Sequence, residues 1–169
     1  MLFGAASGAL ELRADSAGGA RLTGRFPYGI EAELAPGRHG RIEAGAFAER
    51  IAAADGDIHL LLGHDYGMPL ASRASGSLTI RDTGDHVQFE AQIAGGTSWA
   101  RDFLAAHAAG LIRGLSPGFR VPEGGERIER HGNGVLRRKV VGGGQVKSGA
   151  PPAAGAQGVL VLRWPDVGA

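Results

Sequence analysis

Val87-Gln88-Phe89-Glu90-Ala91-Gln92-Ile93 sets Val, Phe, Ala and Ile at every second position, with Gln, Glu and Gln between them. Successive side chains of a strand point to opposite faces, so this stretch predicts a strand that covers a core on one side and meets water on the other. Thr83-Gly84-Asp85, just before it, has the composition of a tight turn, and Ser77 to Asp82 before that is β-prone, which predicts a hairpin. Further toward the N-terminus, Ala9 to Ala14, Ala20 to Phe26 and Ile58 to His64 are similar short runs separated by glycine. Toward the C-terminus the period changes. Trp99, Phe103, Leu104 and Leu111 recur near helical spacing, Thr97 or Ser98 serves as a cap and Gly110 as a stop, while a shorter helix is expected over Ala44 to Ala54. Strand patterning returns over Leu111 to Val121, and Glu129 to Val141 predicts a hairpin turning at His131-Gly132-Asn133-Gly134.

The composition changes at Gly142. Gly142-Gly143-Gly144 and Gly149-Ala150-Pro151-Pro152-Ala153-Ala154-Gly155-Ala156 lack the side chains that make a strand worth burying. A chain of 169 residues suits one domain with one core, so the expected organisation is a core over 1–141 and a Gly/Ala/Pro-rich tail over 142–169. Within that tail, 159–164 is β-prone and is expected as a final edge strand.

Composition narrows the chemistry. A formal net charge of +1 without a dense Lys/Arg run supplies no electrostatic footprint for nucleic acid. With no cysteine, disulfides, thiolate metal sites and thiol nucleophiles are excluded, which leaves six histidines and the hydroxyl residues. Met1 to Ser7 has neither a basic start nor an adequate apolar run for a signal peptide, and no stretch is apolar for the length of a bilayer, so a soluble, cytoplasmic protein without membrane partners is expected.

Two segments carry candidate chemistry. In Ile58-His59-Leu60-Leu61-Leu62-Gly63-His64-Asp65-Tyr66-Gly67-Met68-Pro69-Leu70, an apolar strand ends in a histidine and a turn, a rigid mount for a general base. In Gly110-Leu111-Ile112-Arg113-Gly114-Leu115-Ser116-Pro117-Gly118-Phe119-Arg120-Val121, alternation sets Leu111, Leu115, Phe119 and Val121 on one face and Gly114, Ser116 and Gly118 on the other. Ser116 then has room around it for a peptide carbonyl. A serine hydroxyl needs a base within hydrogen-bond reach, and histidine is the default near neutral pH. On spacing alone the structural reading of a strand-end histidine and of a serine between glycines outweighs the catalytic one. His39, His59, His86 and His107 show no partner pattern and no metal-ligand spacing, and are expected to be structural or exposed.

His64-Asp65-Tyr66 with Pro69-Leu70, followed about fifty residues later by Gly114-Leu115-Ser116-Pro117-Gly118-Phe119-Arg120-Val121, resembles the prohead protease family of tailed phages, as does Ile42 to Phe47. The resemblance runs from Leu10 to Val141. It implies an α+β, mainly β fold like that of the herpesvirus assemblin proteases: a small closed or partly closed antiparallel β-barrel with flanking helices. It implies a serine endopeptidase with His64 as base and Ser116 as nucleophile, needing no cofactor. Its implied partners are the major capsid protein with its scaffold segment and the chain itself, inside assembling proheads in the host cytoplasm. Relatives occur in prophages and gene transfer agents, and an oligomer is compatible with the family.

In the family an apolar strand after the nucleophile carries an acid that orients the histidine. Here Gly144-Gln145-Val146-Lys147-Ser148 is the best match, so Gln145 stands where the acid is expected. His131 is the alternative third member, matching the Ser-His-His arrangement of the herpesvirus relatives, and Arg137 or Arg138 are candidate oxyanion partners. A catalytically weak or silent protease-fold protein acting in capsid assembly is the alternative function.

Overall fold

The computed structural model describes residues 10–54, 56–63, 65–112, 114–119, 121, 123–131, 135–141 and 158–163, with Ser116, Arg138 and 158–163 described in their main chain. Strands β1 (Leu10–Ala14), β2 (Ala20–Pro27), β3 (Glu31–Ala35) and β4 (Arg38–Ile42) precede helix α1 (Ala48–Ala52). Strands β5 (Ile58–Leu62), β6 (Pro69–Ser72), β7 (Leu78–Asp82) and β8 (His86–Ile93) then lead to helix α2 (Ser98–Ala108). Strands β9 (Gly114–Gly118), β10 (Glu126–Arg130), β11 (Leu136–Val140) and β12 (Gly158–Arg163) complete the set.

These strands form three four-stranded sheets, ordered β1-β2-β8-β7, β10-β11-β4-β3 and β6-β5-β12-β9. The fold is mainly β, as expected. The strand pairing is mixed rather than antiparallel throughout, because β11 runs parallel to β4 and β12 parallel to β5.

Alternation in β8 does what its sequence dictates: Val87, Phe89, Ala91 and Ile93 are buried while Gln88, Glu90 and Gln92 are exposed. They pack in one core with Leu22, Phe26, Leu60, Leu62, Phe103 and Leu115 from the neighbouring elements. The hairpin before β8 closes as expected, with the Thr83 amide donating to the His86 carbonyl at 3.0 Å. Thr97, not Ser98, caps α2, its hydroxyl accepting the Ala100 amide at 3.2 Å.

At the other end of α2 the Leu111 amide reaches the Ala106 carbonyl and the Gly110 amide the His107 carbonyl, both at 2.9 Å, which is a Schellman closure. It needs a residue with positive φ, supplied by Gly110 at 70°. Near β9, Tyr28, Phe47 and Phe119 form a chain of ring contacts at 6.0 and 5.0 Å, and the Tyr28 hydroxyl donates to Asp82 at 2.5 Å. Burial, aided by the Asp82 carboxylate, pushes the Tyr28 phenol well above its ordinary range.

Three departures from the sequence reading stand out. The hairpin β3–β4 has weak apolar signals, its exposed positions being Glu31, Glu33 and Ala35 and its paired strand carrying Arg38, His39 and Arg41. Strand β6 is only four residues long and begins at a proline. The expected edge strand over 159–164 is a strand over Gly158–Arg163 that lies between β5 and β9, an inner position. A continuous apolar run such as Val159 to Leu162 is the pattern of strands in parallel pairs, and β12 runs parallel to β5.

Candidate active site

The sheet β6-β5-β12-β9 brings together the two segments singled out for chemistry. Leu61, Val161 and Ser116 stand in one row across β5, β12 and β9, and Leu62, Leu162 and Leu115 in the next. Adjacent strands are about 4.8 Å apart, so β5 and β9 run roughly 9–10 Å apart. Because β12 is parallel to β5 and antiparallel to β9, the end of β5 and the start of β9 meet at the same end of the sheet.

Beyond Leu62 the chain reverses over a short loop and returns as β6. Gly63 takes φ 64°, the Leu62 amide donates to the Met68 carbonyl at 3.1 Å, and the Asp65 amide donates to the Leu62 carbonyl at 3.2 Å. The Met68 amide donates to the Asp65 carbonyl at 3.0 Å, and the Asp65 side chain accepts the Gly67 amide at 2.7 Å. The Trp99 indole N–H donates to the Pro69 carbonyl at 2.8 Å and ties α2 to the loop's exit. His64 itself lies outside the described residues.

Ser116 lies in β9, at one end of the sheet order. Leu115, Pro117 and Phe119 are buried along one face, as alternation predicts, and on the other face Gly118 is buried and Gly114 half-buried. Leu111 departs from its expected place in the apolar row: it is 50% exposed, and Ile112 is buried instead. The reason is the helix closure at Gly110, which leaves Leu111 in the connection before β9 begins at Gly114.

Asp57 anchors the start of β5. One of its oxygens accepts the amides of Ile58 at 2.7 Å and Ala74 at 2.8 Å, and the other faces His59 Nε2 at 3.3 Å. Burial alone would raise this carboxyl, but the two amides, the Ser72 hydroxyl and His59 together hold it below the usual carboxylate range. The His59 Nδ1 is buried without a hydrogen-bond partner among the described residues.

The histidines set aside as partnerless mostly have partners. His39 faces Glu31 at 3.5 Å, His59 faces Asp57, and His86 bonds Asp85 at 2.7 Å. His107 lies 5.9 Å from the Phe103 ring. An Asp at i−2 on a strand shares a face with a histidine, and Asp57-Ile58-His59 carried that signal.

Of the remaining candidates, Gln145 lies outside the described residues. His131 is exposed, its amide donating to the Val135 carbonyl at 3.0 Å in the β10–β11 connection, in a sheet other than that of Ser116. Arg137 is in that same sheet and faces Glu31 at 3.4 Å; Arg138 is its neighbour in β11.

A mainly β domain that holds a serine-bearing strand and the end of a second strand in one sheet, with one strand between them, is a frame suited to nucleophilic hydrolysis. Residues 9–141 match the model of the caudovirus prohead serine protease, and the chain belongs to that family. No curated protein and no solved structure matches it. Membership supports a serine peptidase role in capsid maturation, in contact with capsid precursor proteins in proheads assembling in the host cytoplasm. No helix among the described residues is long and apolar enough to cross a membrane.

Proposed function

We propose that this chain is a serine endopeptidase that cleaves the scaffold segment or precursor extension of the major capsid protein, and also itself, with Ser116 as nucleophile and His64 as base. His64 takes the Ser116 proton as Oγ attacks the peptide carbonyl, returns it to the leaving amine, and then activates the water that releases the acyl-enzyme. The observation that carries this reading is the register that sets Ser116 level with Leu61, beside the strand end that precedes His64. The partly closed assemblin-like barrel belongs to the same reading.

Backbone amides are the favoured oxyanion donors, since Arg137 is engaged by Glu31 in another sheet. Gln145 is the proposed third member, its amide oxygen accepting the Nδ1 proton of the base without supplying charge. His131, exposed on its own hairpin, is the weaker alternative.

The test is processing of the purified capsid precursor by wild type, Ser116→Ala and His64→Ala, with Gln145→Glu and His131→Ala alongside. Both nucleophile and base variants are expected to fall to background, and Gln145→Glu to raise turnover, the orienting charge being worth on the order of 10⁴ in the chymotrypsin system. Equal processing by wild type and Ser116→Ala would remove the enzyme reading. One observation favours the alternative of a silent assembly protein: β12, the strand between β5 and β9, has the sequence Gly-Val-Leu-Val-Leu-Arg, with neither carboxylate nor histidine.

A further inference from the structure

Among the described residues β10 ends its sheet, with β11 on one side and no strand on the other. Its sequence is Glu126-Arg127-Ile128-Glu129-Arg130, paired with β11 in regular register without a bulge. Arg127 to Arg130 are exposed, and Ile128, at 60%, is the most exposed large apolar side chain among the described residues.

The ladder fixes which way the main chain of β10 points. The Val141 amide donates to the Gly125 carbonyl and the His131 amide to the Val135 carbonyl, both at 3.0 Å. Bonds to an antiparallel neighbour fall on every second residue, so Arg127 and Glu129 also bond toward β11. The N–H and C=O groups of Glu126, Ile128 and Arg130 therefore point to the open edge. Side chains alternate too, Arg127 and Glu129 sharing one face with Arg137 and Lys139, and Ile128 sharing the other with Leu136.

Charges on an edge strand usually discourage pairing. In β10 their order favours it in one register. Laid antiparallel on a second copy about a two-fold axis through Ile128, the strand sets Ile128 against Ile128, Arg127 against Glu129 and Glu126 against Arg130, so every charge meets its opposite. The outward main-chain groups of Ile128 then bond those of the other Ile128. A shift of one residue faces outward groups with inward ones and breaks the ladder, while a shift of two sets Arg127 against Arg127 or Glu129 against Glu129. Glu126 also has a partner in its own chain, so Arg127 and Glu129 select the register.

We infer that two copies of this chain pair through β10 about this axis, joining their β10-β11-β4-β3 sheets into one. The contact is isologous, and a single strand pair places it among small interfaces, so the dimer is weak and concentration-dependent.

The experiment uses the full chain as Ser116→Ala, so that self-cleavage does not alter the sample. Sedimentation equilibrium should show monomer and dimer in exchange. Arg127→Glu or Glu129→Arg alone sets like charges opposite and is expected to weaken association about tenfold, whereas an equimolar mixture of the two restores opposite charges at both positions and should dimerise like the parent. Glu129→Arg also releases Lys139, which Glu129 holds at 2.7 Å, so a second measurement leaves that pair intact. The chain has no cysteine, and Ile128→Cys puts its one thiol on the axis, with Cα atoms about 5.5 Å apart and within reach of a disulfide. Under mild oxidation it should cross-link about tenfold faster than Ile30→Cys, a position 51% exposed beside β3 at the other end of the sheet order.

A chain still monomeric at about 1 mM would overturn the inference. So would a dimer indifferent to Arg127→Glu, or equal cross-linking by the two cysteine variants. None of these measurements depends on peptidase activity.

Discussion

Asp57 illustrates how a single carboxylate positions the strand that leads to the site. It accepts the Ile58 and Ala74 amides and faces His59, and its pKa lies below the ordinary value. A group depressed on folding contributes stability that is present above its unfolded pKa, about 3.9 for Asp, and is lost as pH falls through the lower folded value. Asp57→Asn keeps an acceptor oxygen but removes the charge, so it is expected to lower stability near neutrality by about 1–2 kcal/mol. Urea denaturation from pH 7 downward should show this gap closing only on the acid side of about pH 4. A gap independent of pH would mean that the charge contributes nothing. Residue-scale chemistry was unevenly legible. The Ser116 segment stood out because glycine and alternation mark it, whereas the carboxylate partners of His39 and His86 depend on cross-strand pairing and turn geometry that spacing does not reveal.

At the scale of elements, β8 and α2 were readable because one period dominates each: alternation over Val87 to Ile93, and a cap, an apolar stripe and a glycine stop around Ser98 to Ala108. The β3–β4 hairpin was not, since its strands are mostly charged residues and alanine and are held by ladder bonds and cross-strand contacts such as His39 with Glu31 at 3.5 Å. The order of strands is a further unknown, because apolar content says that 159–162 is β-prone but not which strands it pairs. Its inner position makes a test possible. Val161 is flanked by Leu61 on one side and Ser116 on the other, so its amide belongs to a ladder whichever way it points. Val161→Pro removes that donor and leaves a carbonyl unpaired, and a loss on the order of 1–3 kcal/mol is expected in thermal or urea unfolding. Pro117, already tolerated in β9 at the end of the sheet, is the internal contrast. A Val161→Pro protein as stable as wild type would return β12 to an edge or detach it.

For the molecule as a whole, the decisive feature is which part of the chain completes the sheet that carries the proposed chemistry. Hairpins such as β7–β8 and β10–β11 close over a few residues, but β5 pairs with β12 between Ile58 and Gly158, and among the described residues the sheet ladder runs from β9 to β5 through that strand. Closing a loop of about one hundred residues rather than ten adds about 2 kcal/mol of entropy to the barrier if the contact forms early. Folding dominated by such pairings belongs to the millisecond-to-second range. The hairpins and the one-sided sheet around β8 can therefore form first, while the row Leu61–Val161–Ser116 waits for the C-terminal strand. Dilution from denaturant should consequently show peptidase activity returning with the slowest tertiary phase, not with the early gain of β structure seen by far-ultraviolet circular dichroism. Val161→Pro should slow or abolish that return while leaving the early phase in place. Activity that recovers together with the earliest β signal would mean that β5 and β9 reach their working positions without β12 between them.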